Sequence, residues 1–188
     1  METNAVIFTP TKLPDVILIE PKVFDDSRGH FYEGYRRDLF AAHGITAEFV
    51  QDNYSRSAKG IVRGLHYQIP PKAQAKLIHV IRGAIFDVAV DLRRGSPTAG
   101  RWVGARLDDA NHQFLHIPVG FAHGFCALEP DTLVMYKVSD FYSPAHERGL
   151  FWDDPAVGIE WPALDVEYAL AARDRAFPLL KDAALFST

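Results

Sequence analysis

The chain is poor in cysteine, in long apolar runs and in basic clusters, and each shortage excludes a class of protein. Cys126 is the one cysteine among 188 residues, so no disulfide can form within the chain. The longest apolar run, residues 83–90, is interrupted by Asp87 and is shorter than the roughly 18–20 residues of a transmembrane helix. The first residues lack the basic and apolar regions of a signal peptide, so we predict a cytoplasmic location.

Positive charge is spread thinly along the chain. The formal net charge is −4 at pH 7 and no long run of Lys and Arg occurs, which argues against nucleic acid and membranes as partners. A local group of arginines could still bind an anionic small molecule, because local charge decides such binding. The apolar fraction of 48% is ordinary for a globular protein, and the length predicts a single domain over residues 1–188.

Short β-branched and aromatic runs alternate with turn residues through most of the chain. They recur at intervals of about 8–12 residues, which predicts an all-β sandwich or barrel with a few short helices. In the clearest run, residues 84–92, the alternation indicates a strand with Asp87 and Asp91 on one face, and we predict that they face solvent rather than line a barrel. Helices are predicted at residues 37–43 and 164–172. The predicted strands are residues 16–19, 30–35, 61–67, 75–81, 84–92, 102–107, 113–117, 121–127 and 133–138.

Several polar side chains lie within these predicted strands. Arg63 and His66 share one strand, and Lys76 lies inside an otherwise apolar strand. A buried lysine requires a partner or a function, so Lys76 is a stronger candidate than a single histidine. His123 and Tyr136 lie among apolar neighbours, where each could equally be a structural residue with a satisfied polar group.

The alternation of a strand puts Arg63 and His66 on opposite faces. If both reach one ligand, the backbone between them must bulge. Gly64 lies between them and would permit such a bulge, because glycine tolerates backbone conformations that other residues avoid.

The Pro-x-Gly-x-x-His pattern that ends at His123 suggests the cupin architecture, many of whose members hold a metal. Those members normally need a His-x-His pair, but the corresponding position here reads His66-Tyr67-Gln68. His66 and His123 supply two ligands, whereas a catalytic zinc or iron site usually has three protein ligands. We therefore expect no metal, which argues against a metal-dependent cupin oxygenase.

No nucleophile elbow, phosphate loop or dinucleotide fingerprint occurs in the chain. A histidine, a lysine, a tyrosine and several arginines remain, a set that suits proton abstraction beside a carbonyl.

The order and spacing of several segments from about residue 24 to residue 180 resemble the dTDP-4-dehydrorhamnose 3,5-epimerase family. The resemblance implies a cupin-type jelly roll and a homodimer that works without metal or cofactor. It also implies a substrate that is a 4-keto-6-deoxyhexose on dTDP, inverted at carbon 3, carbon 5 or both. The matching segments are residues 26–33, 51–57, 63–77, 87–100, 117–125, 136–147 and 152–162.

The resemblance implies a chemical role for four residues. His66 would be the base, oriented by Asp174, and Tyr136 would be the acid on the opposite face of the sugar. Lys76 would stabilise the enolate at the carbon-4 oxygen. The implied ligand contacts are Arg28, Glu33, Gln51, Asp52, Asn53, Arg63, His123, Glu147 and Arg173.

Arg173 departs from the family pattern, because many members have lysine at that position. Arginine and lysine are not interchangeable in geometry, which puts that contact in doubt.

Two further readings stay open beside the 3,5-epimerase of dTDP-rhamnose biosynthesis. A mono-epimerase of the same family, serving another deoxysugar pathway, would carry the same histidine and tyrosine. A non-catalytic sugar-nucleotide-binding protein would have no need to retain His66, Tyr136 and Asp174 together.

Overall fold

Strands dominate the computed structural model, which describes residues 5–187. Its helices are α1 (Arg37–Ala42), α2 (Ala172–Arg175) and a 3-10 turn at Leu180–Asp182. The prediction of an all-β fold with a few short helices is confirmed. The strands are β1 (Ile7–Pro10), β2 (Ile17–Glu20), β3 (Val23–Asp26), β4 (Gly29–Tyr32), β5 (Gln51–Ser57), β6 (Val62–Gln68), β7 (Lys76–Arg82), β8 (Ala84–Asp91), β9 (Trp102–Asp108), β10 (Phe114–Ile117), β11 (Phe121–Ala127), β12 (Thr132–Val138) and β13 (Glu147–Gly149).

Two antiparallel sheets pack face to face around the main core. The first has the order β1-β2-β10-β7-β12-β5 and the second the order β13-β6-β11-β8-β9. Side chains from both sheets meet between them, for example Ile78 and Leu115 from the first with Ile85 and Phe125 from the second. The hairpin β3–β4 forms a small sheet of its own beside these two.

The outer face of the second sheet is also buried. Val88 and Val90 point away from the main core and pack against Leu150, Ile159 and other residues of the C-terminal segment, residues 150–187. Burial on both faces explains why almost every residue of β8 is buried. None of the helices within residues 5–187 is long and apolar enough to cross a membrane.

The prediction that Asp87 and Asp91 face solvent is wrong, since both are 0% exposed. They share the inner face of β8 with Ile85 and Ala89, and each carboxylate has local partners. Asp91 accepts hydrogen bonds from Arg93 and from two hydroxyl groups in the following turn.

The predicted helix at residues 164–172 is also wrong, because helix α2 begins only at Ala172. The backbone nitrogen of Ala169 donates to the carbonyl of Gly60, and Ala169 forms a bridge with Ile61. This pairing with the barrel takes the backbone groups that a helix would use. The other predicted helix is confirmed as α1.

One histidine is buried without a hydrogen-bond partner for its Nδ1 atom within the described residues. His116 lies in β10, is 6% exposed, and its Nδ1 is buried and unpaired. Burial lowers the pKa of His116 to about 4. The imidazole is therefore neutral in the folded protein over the physiological pH range.

We expect His116 to make the fold less stable in acid. The unfolded chain binds this proton near pH 6.5 and the folded chain only near pH 4, so stability falls as pH drops through that window. At pH 5 the loss from this residue is about 2 kcal/mol. In urea unfolding, the His116→Leu variant should therefore lose less stability than the wild type between pH 7.5 and pH 5. The exposed His43→Leu control should show no such gain, and an equal acid loss in His116→Leu and wild type would contradict the assignment.

Candidate active site

A cavity of about 730 Å³ opens at one end of the sandwich and receives side chains from both sheets. Strands β5, β7 and β12 supply one wall, β6 and β11 supply the other, and the segment that carries α2 closes the side. The predicted site residues that line it are Gln51, Asn53, Arg63, His66, Lys76, His123, Tyr136, Glu147, Arg173 and Asp174.

The imidazole of His66 is held by Asp174. The Nε2 atom of His66 lies 3.0 Å from Oδ1 of Asp174, and the backbone nitrogen of Gly64 donates to Oδ2 at 3.1 Å. Burial raises the pKa of Asp174, but the hydrogen bonds from His66, Gly64 and Arg173 outweigh it and leave the pKa below its usual value. Because Asp174 is ionised, His66 carries its proton on Nε2 and presents the lone pair of Nδ1.

A bulge in β6 brings Arg63 and His66 to the same cavity. His66 pairs with His123 and Arg63 with Phe125, so β6 has one residue more than β11 between these pairs. Gly64 has a φ of +131°, in the region that favours glycine, and a Cβ atom on it would lie 2.6 Å from Cα of Gly124. The bulge that was predicted to let Arg63 and His66 reach one ligand is therefore present. Glycine is needed at residue 64 because of this backbone conformation.

Lys76 and Tyr136 extend into the cavity from neighbouring strands. The Nζ atom of Lys76 donates to the carbonyl oxygen of His66 at 3.1 Å. Burial lowers the pKa of Lys76 to about 8, while Asp87 and Glu147 act in the opposite direction. Burial raises the pKa of the Tyr136 phenol. At neutral pH the cavity therefore contains an ammonium group and a protonated phenol.

His123 has a carboxylate partner of its own. Its Nε2 atom lies 2.7 Å from Oδ1 of Asp87, and both side chains are buried. Burial lowers the pKa of His123, and Asp87 opposes that shift. Asp87 was not among the predicted site residues, although its alternation with Ile85 and Ala89 could have indicated an inward position.

At the mouth of the cavity, Glu147 joins two further side chains. Its Oε2 atom accepts hydrogen bonds from Nη1 of Arg173 and from the hydroxyl of Tyr142, each at 2.9 Å. The Nε atom of Arg173 also lies 3.3 Å from Asp174. Tyr142 is half exposed and lines the cavity. The sequence did not predict it as a site residue, because its segment shows no pattern apart from the family resemblance.

Three of the predicted binding residues lie outside this cavity. Asp52 points to the other face of β5 from its two neighbours and pairs with Lys137 at 3.0 Å. Arg28 is 88% exposed at the tip of the β3–β4 hairpin and pairs with Asp26. Glu33 follows the same hairpin and pairs with Arg36.

The histidines of the cavity each lie beside a carboxylate that already accepts their hydrogen bond. In the described part of the chain, no set of three His, Cys, Asp or Glu side chains is arranged to hold a metal ion. That the reaction needs no metal or cofactor stays a prediction.

Comparison with known proteins identifies epimerases among the relatives of this chain. The profile of the dTDP-4-dehydrorhamnose 3,5-epimerase family matches residues 10–182. The dTDP-4-dehydrorhamnose 3,5-epimerase of Pseudomonas aeruginosa is 51% identical over 179 residues, which is 95% of this chain and 98% of that one. The dTDP-4-dehydrorhamnose 3-epimerase of Streptomyces niveus is 43% identical over 154 residues, which is 81% of this chain and 74% of that one.

A solved structure shares the fold over nearly the whole chain. The 3,5-epimerase of Legionella pneumophila, crystallised with dTDP-4-keto-L-rhamnose, superposes with a TM-score of 0.91 at 43% identity, covering 94% of each chain. Together with the sheet order, this agreement confirms the predicted cupin-type jelly roll. The chain is an epimerase and belongs to the dTDP-4-dehydrorhamnose 3,5-epimerase family.

Proposed function

We propose that this chain converts dTDP-4-dehydro-6-deoxy-D-glucose to dTDP-4-dehydro-L-rhamnose by inverting carbons 3 and 5. The observation that carries the proposal is the meeting of His66, Lys76 and Tyr136 in one cavity, with Asp174 bonded to His66. A base, a buried cation and a neutral acid are the three groups that epimerisation beside a ketone requires.

His66 removes the proton from the carbon next to the ketone. Its Nδ1 atom makes no hydrogen bond within residues 5–187, while Nε2 is occupied by Asp174. The ionised Asp174 stabilises the imidazolium that forms when Nδ1 takes the proton. A positioned base of this kind contributes roughly 10²–10⁴-fold to the rate.

Lys76 stabilises the enolate that remains after the proton has left. Negative charge collects on the carbon-4 oxygen, and an ammonium group in a buried site interacts with it far more strongly than it would in water. The pKa of about 8 leaves Lys76 mostly protonated at neutral pH. The lysine therefore supplies its charge without having to move or take up a proton.

Tyr136 returns a proton to the opposite face of the same carbon. It extends from β12 in the first sheet, whereas His66 extends from β6 in the second, so the two groups approach a bound ring from different walls. The phenol donates from a neutral state, because burial raises its pKa. Inversion results when the proton leaves toward one wall and arrives from the other.

Arg63 and Arg173 are the cations available to a diphosphate. Arg63 lines the cavity on β6, where its Nε donates to Ser57 and its Nη2 to the carbonyl of Arg56. Arg173 lies at the mouth, where Nη1 and Nε are engaged by Glu147 and Asp174 and Nη2 lies 3.3 Å from Nε2 of His66. The planar guanidinium suits two oxygens of a phosphate group at once. The presence of arginine at residue 173 is compatible with phosphate binding, with a more fixed geometry than lysine would give.

The enzyme acts, in this proposal, as a homodimer in which one copy completes the site of the other. Arg28 and Glu33 lie outside their own cavity, on or beside a hairpin that is separate from the two main sheets. Phe24 and Phe31 pair across that hairpin and are exposed. An exposed aromatic pair beside an arginine is typical of a protein interface, and a second copy would bring this hairpin to a cavity.

The product would serve deoxysugar biosynthesis in the cytoplasm. The free, buried thiol of Cys126 is compatible with a reducing compartment.

We expect the protein to exchange the protons on carbons 3 and 5 of the sugar ring in deuterated water. With dTDP-4-keto-6-deoxyglucose as substrate, NMR should detect deuterium at carbons 3 and 5 of the inverted product. His66→Ala should lower exchange at both carbons by roughly 10²-fold or more, whereas the exposed-residue control His43→Ala should exchange normally. Exchange at one carbon would select the mono-epimerase, and unchanged turnover by His66→Ala would rule out this base.

The Tyr136→Phe variant should separate proton removal from inversion. It retains His66 and Lys76, so deuterium should still enter from the original face while the inverted product forms at least tenfold more slowly. The matched control is Tyr54→Phe, which changes an exposed tyrosine on β5. Equal losses of exchange and inversion in Tyr136→Phe would mean that the tyrosine is not the acid.

Complementation between subunits tests the proposed dimer. Arg28→Ala and His66→Ala homodimers should each be impaired, because every site lacks one group. After unfolding and refolding together, half of the dimers are mixed and each contains one complete site, so about a quarter of the wild-type activity should return. Arg28→Ala with full activity, or no recovery on mixing, would contradict exchange of the hairpin.

A further inference from the structure

Asp87 is a buried carboxylate that lies behind the cavity wall. It is 0% exposed, and its Oδ1 atom accepts the hydrogen bond from Nε2 of His123 at 2.7 Å. Its Oδ2 atom is buried and has no hydrogen-bond partner within the described residues. A buried carboxylate oxygen without a hydrogen bond is costly unless a positive charge lies nearby.

Lys76 is a cation on which the charge of Asp87 acts. It is 7% exposed, and its Nζ atom has one protein acceptor, the carbonyl of His66. The charges of Asp87 and Glu147 both act on Lys76 and favour its ammonium form against the effect of burial. Oε2 of Glu147 accepts from Arg173 and Tyr142 at the mouth of the cavity, whereas Oδ2 of Asp87 is buried and has no hydrogen-bond partner within the described residues.

Among the described residues, Asp87 provides the one buried carboxylate oxygen that lacks a hydrogen bond. Asp174, the other carboxylate of the cavity, is bonded to His66, Gly64 and Arg173. The titratable and charged groups that line the cavity around Lys76 are His66 and Arg63 on β6, His123 on β11, Tyr136 on β12, Tyr142 before β13, Glu147 on β13, and Arg173 and Asp174 on α2.

We propose that Asp87 is a positioning residue for the epimerase reaction, with two effects on the cavity. Its charge maintains Lys76 as the ammonium group that stabilises the enolate. Its hydrogen bond fixes the proton of His123 on Nε2, so that Nδ1 of His123 offers a lone pair to a hydroxyl group of the sugar. This inference rests on the proposed function, because it assigns Lys76 its role in that reaction.

The two histidine–aspartate pairs of the site then have different tasks. His66 and His123 are direct neighbours across β6 and β11, and each is held through Nε2 by its own aspartate. The pair formed by His66 and Asp174 borders the exposed mouth and moves a proton. The pair formed by His123 and Asp87 is buried, and it binds the sugar while Asp87 serves Lys76.

The Asp87→Asn variant tests the charge while it retains the shape of the side chain. In the wild type, kcat/KM for deuterium exchange should fall at alkaline pH as Lys76 loses its proton near pH 8. Without the carboxylate, this alkaline fall should move to lower pH by about one to three units. Activity at pH 8 should then drop about fivefold for a shift of one unit and more for a larger shift, and the drop should be much smaller at pH 6.

Asp91→Asn is the matched control, since Asp91 is an equally buried aspartate on the same strand and bonds outside the cavity. It should lower the stability of the fold and leave the position of the alkaline fall unchanged. A folded Asp87→Asn protein with the wild-type pH profile would overturn the proposal. Absence of exchange in the wild type would instead refute the proposed function, and the two failures are therefore distinguishable.

Asp87→Glu provides a second variant in case Asp87→Asn does not fold. It retains the negative charge and alters the contact with His123, so KM should rise while the alkaline fall stays near its wild-type pH. A large shift of that fall in folded Asp87→Glu would overturn the charge assignment.

Discussion

The hydrogen bond between His66 and Asp174 is the interaction on which the rest of the site depends. A neutral imidazole is useful as a base only if its lone pair faces the substrate, and the carboxylate fixes that tautomer by taking the other nitrogen. The same carboxylate accepts a hydrogen bond from the backbone nitrogen of Gly64, where the strand bulges. One side chain therefore orients the base and braces the irregular backbone that presents it.

Oppositely charged side chains share the cavity and its walls, and most of them are shielded from solvent. The ammonium of Lys76 and the carboxylates of Asp87 and Asp174 are buried, so solvent screens them little. Such an arrangement costs desolvation energy, which the hydrophobic layers on both sides of the second sheet offset. As a result, in the proposed reaction the charges of the site are already in place before the enolate forms.

Much of this architecture follows from the sequence, because alternation and turn residues determine strands locally. The bulge at Gly64 also followed from the need to bring Arg63 and His66 together. The burial of Asp87 could not be predicted from the sequence, because it depends on which face of β8 packs inward. That choice is made only when the two sheets assemble. The helix expected at residues 164–172 failed for a similar reason, since pairing with the barrel prevailed over local propensity. In the proposed homodimer, the position of Arg28 and Glu33 relative to a cavity depends on a second copy, which the pattern of one chain does not specify.

The contact between His66 and Asp174 joins residues 108 positions apart, and its aspartate belongs to the segment that lies over the second sheet. Partial detachment of that segment would leave the sandwich folded and yet free the imidazole to rotate and change tautomer. In the proposed mechanism, activity therefore depends on the free energy of a local opening, which is smaller than that of global unfolding. Mild heating or dilute denaturant would inactivate such an enzyme while its spectrum still showed intact strands.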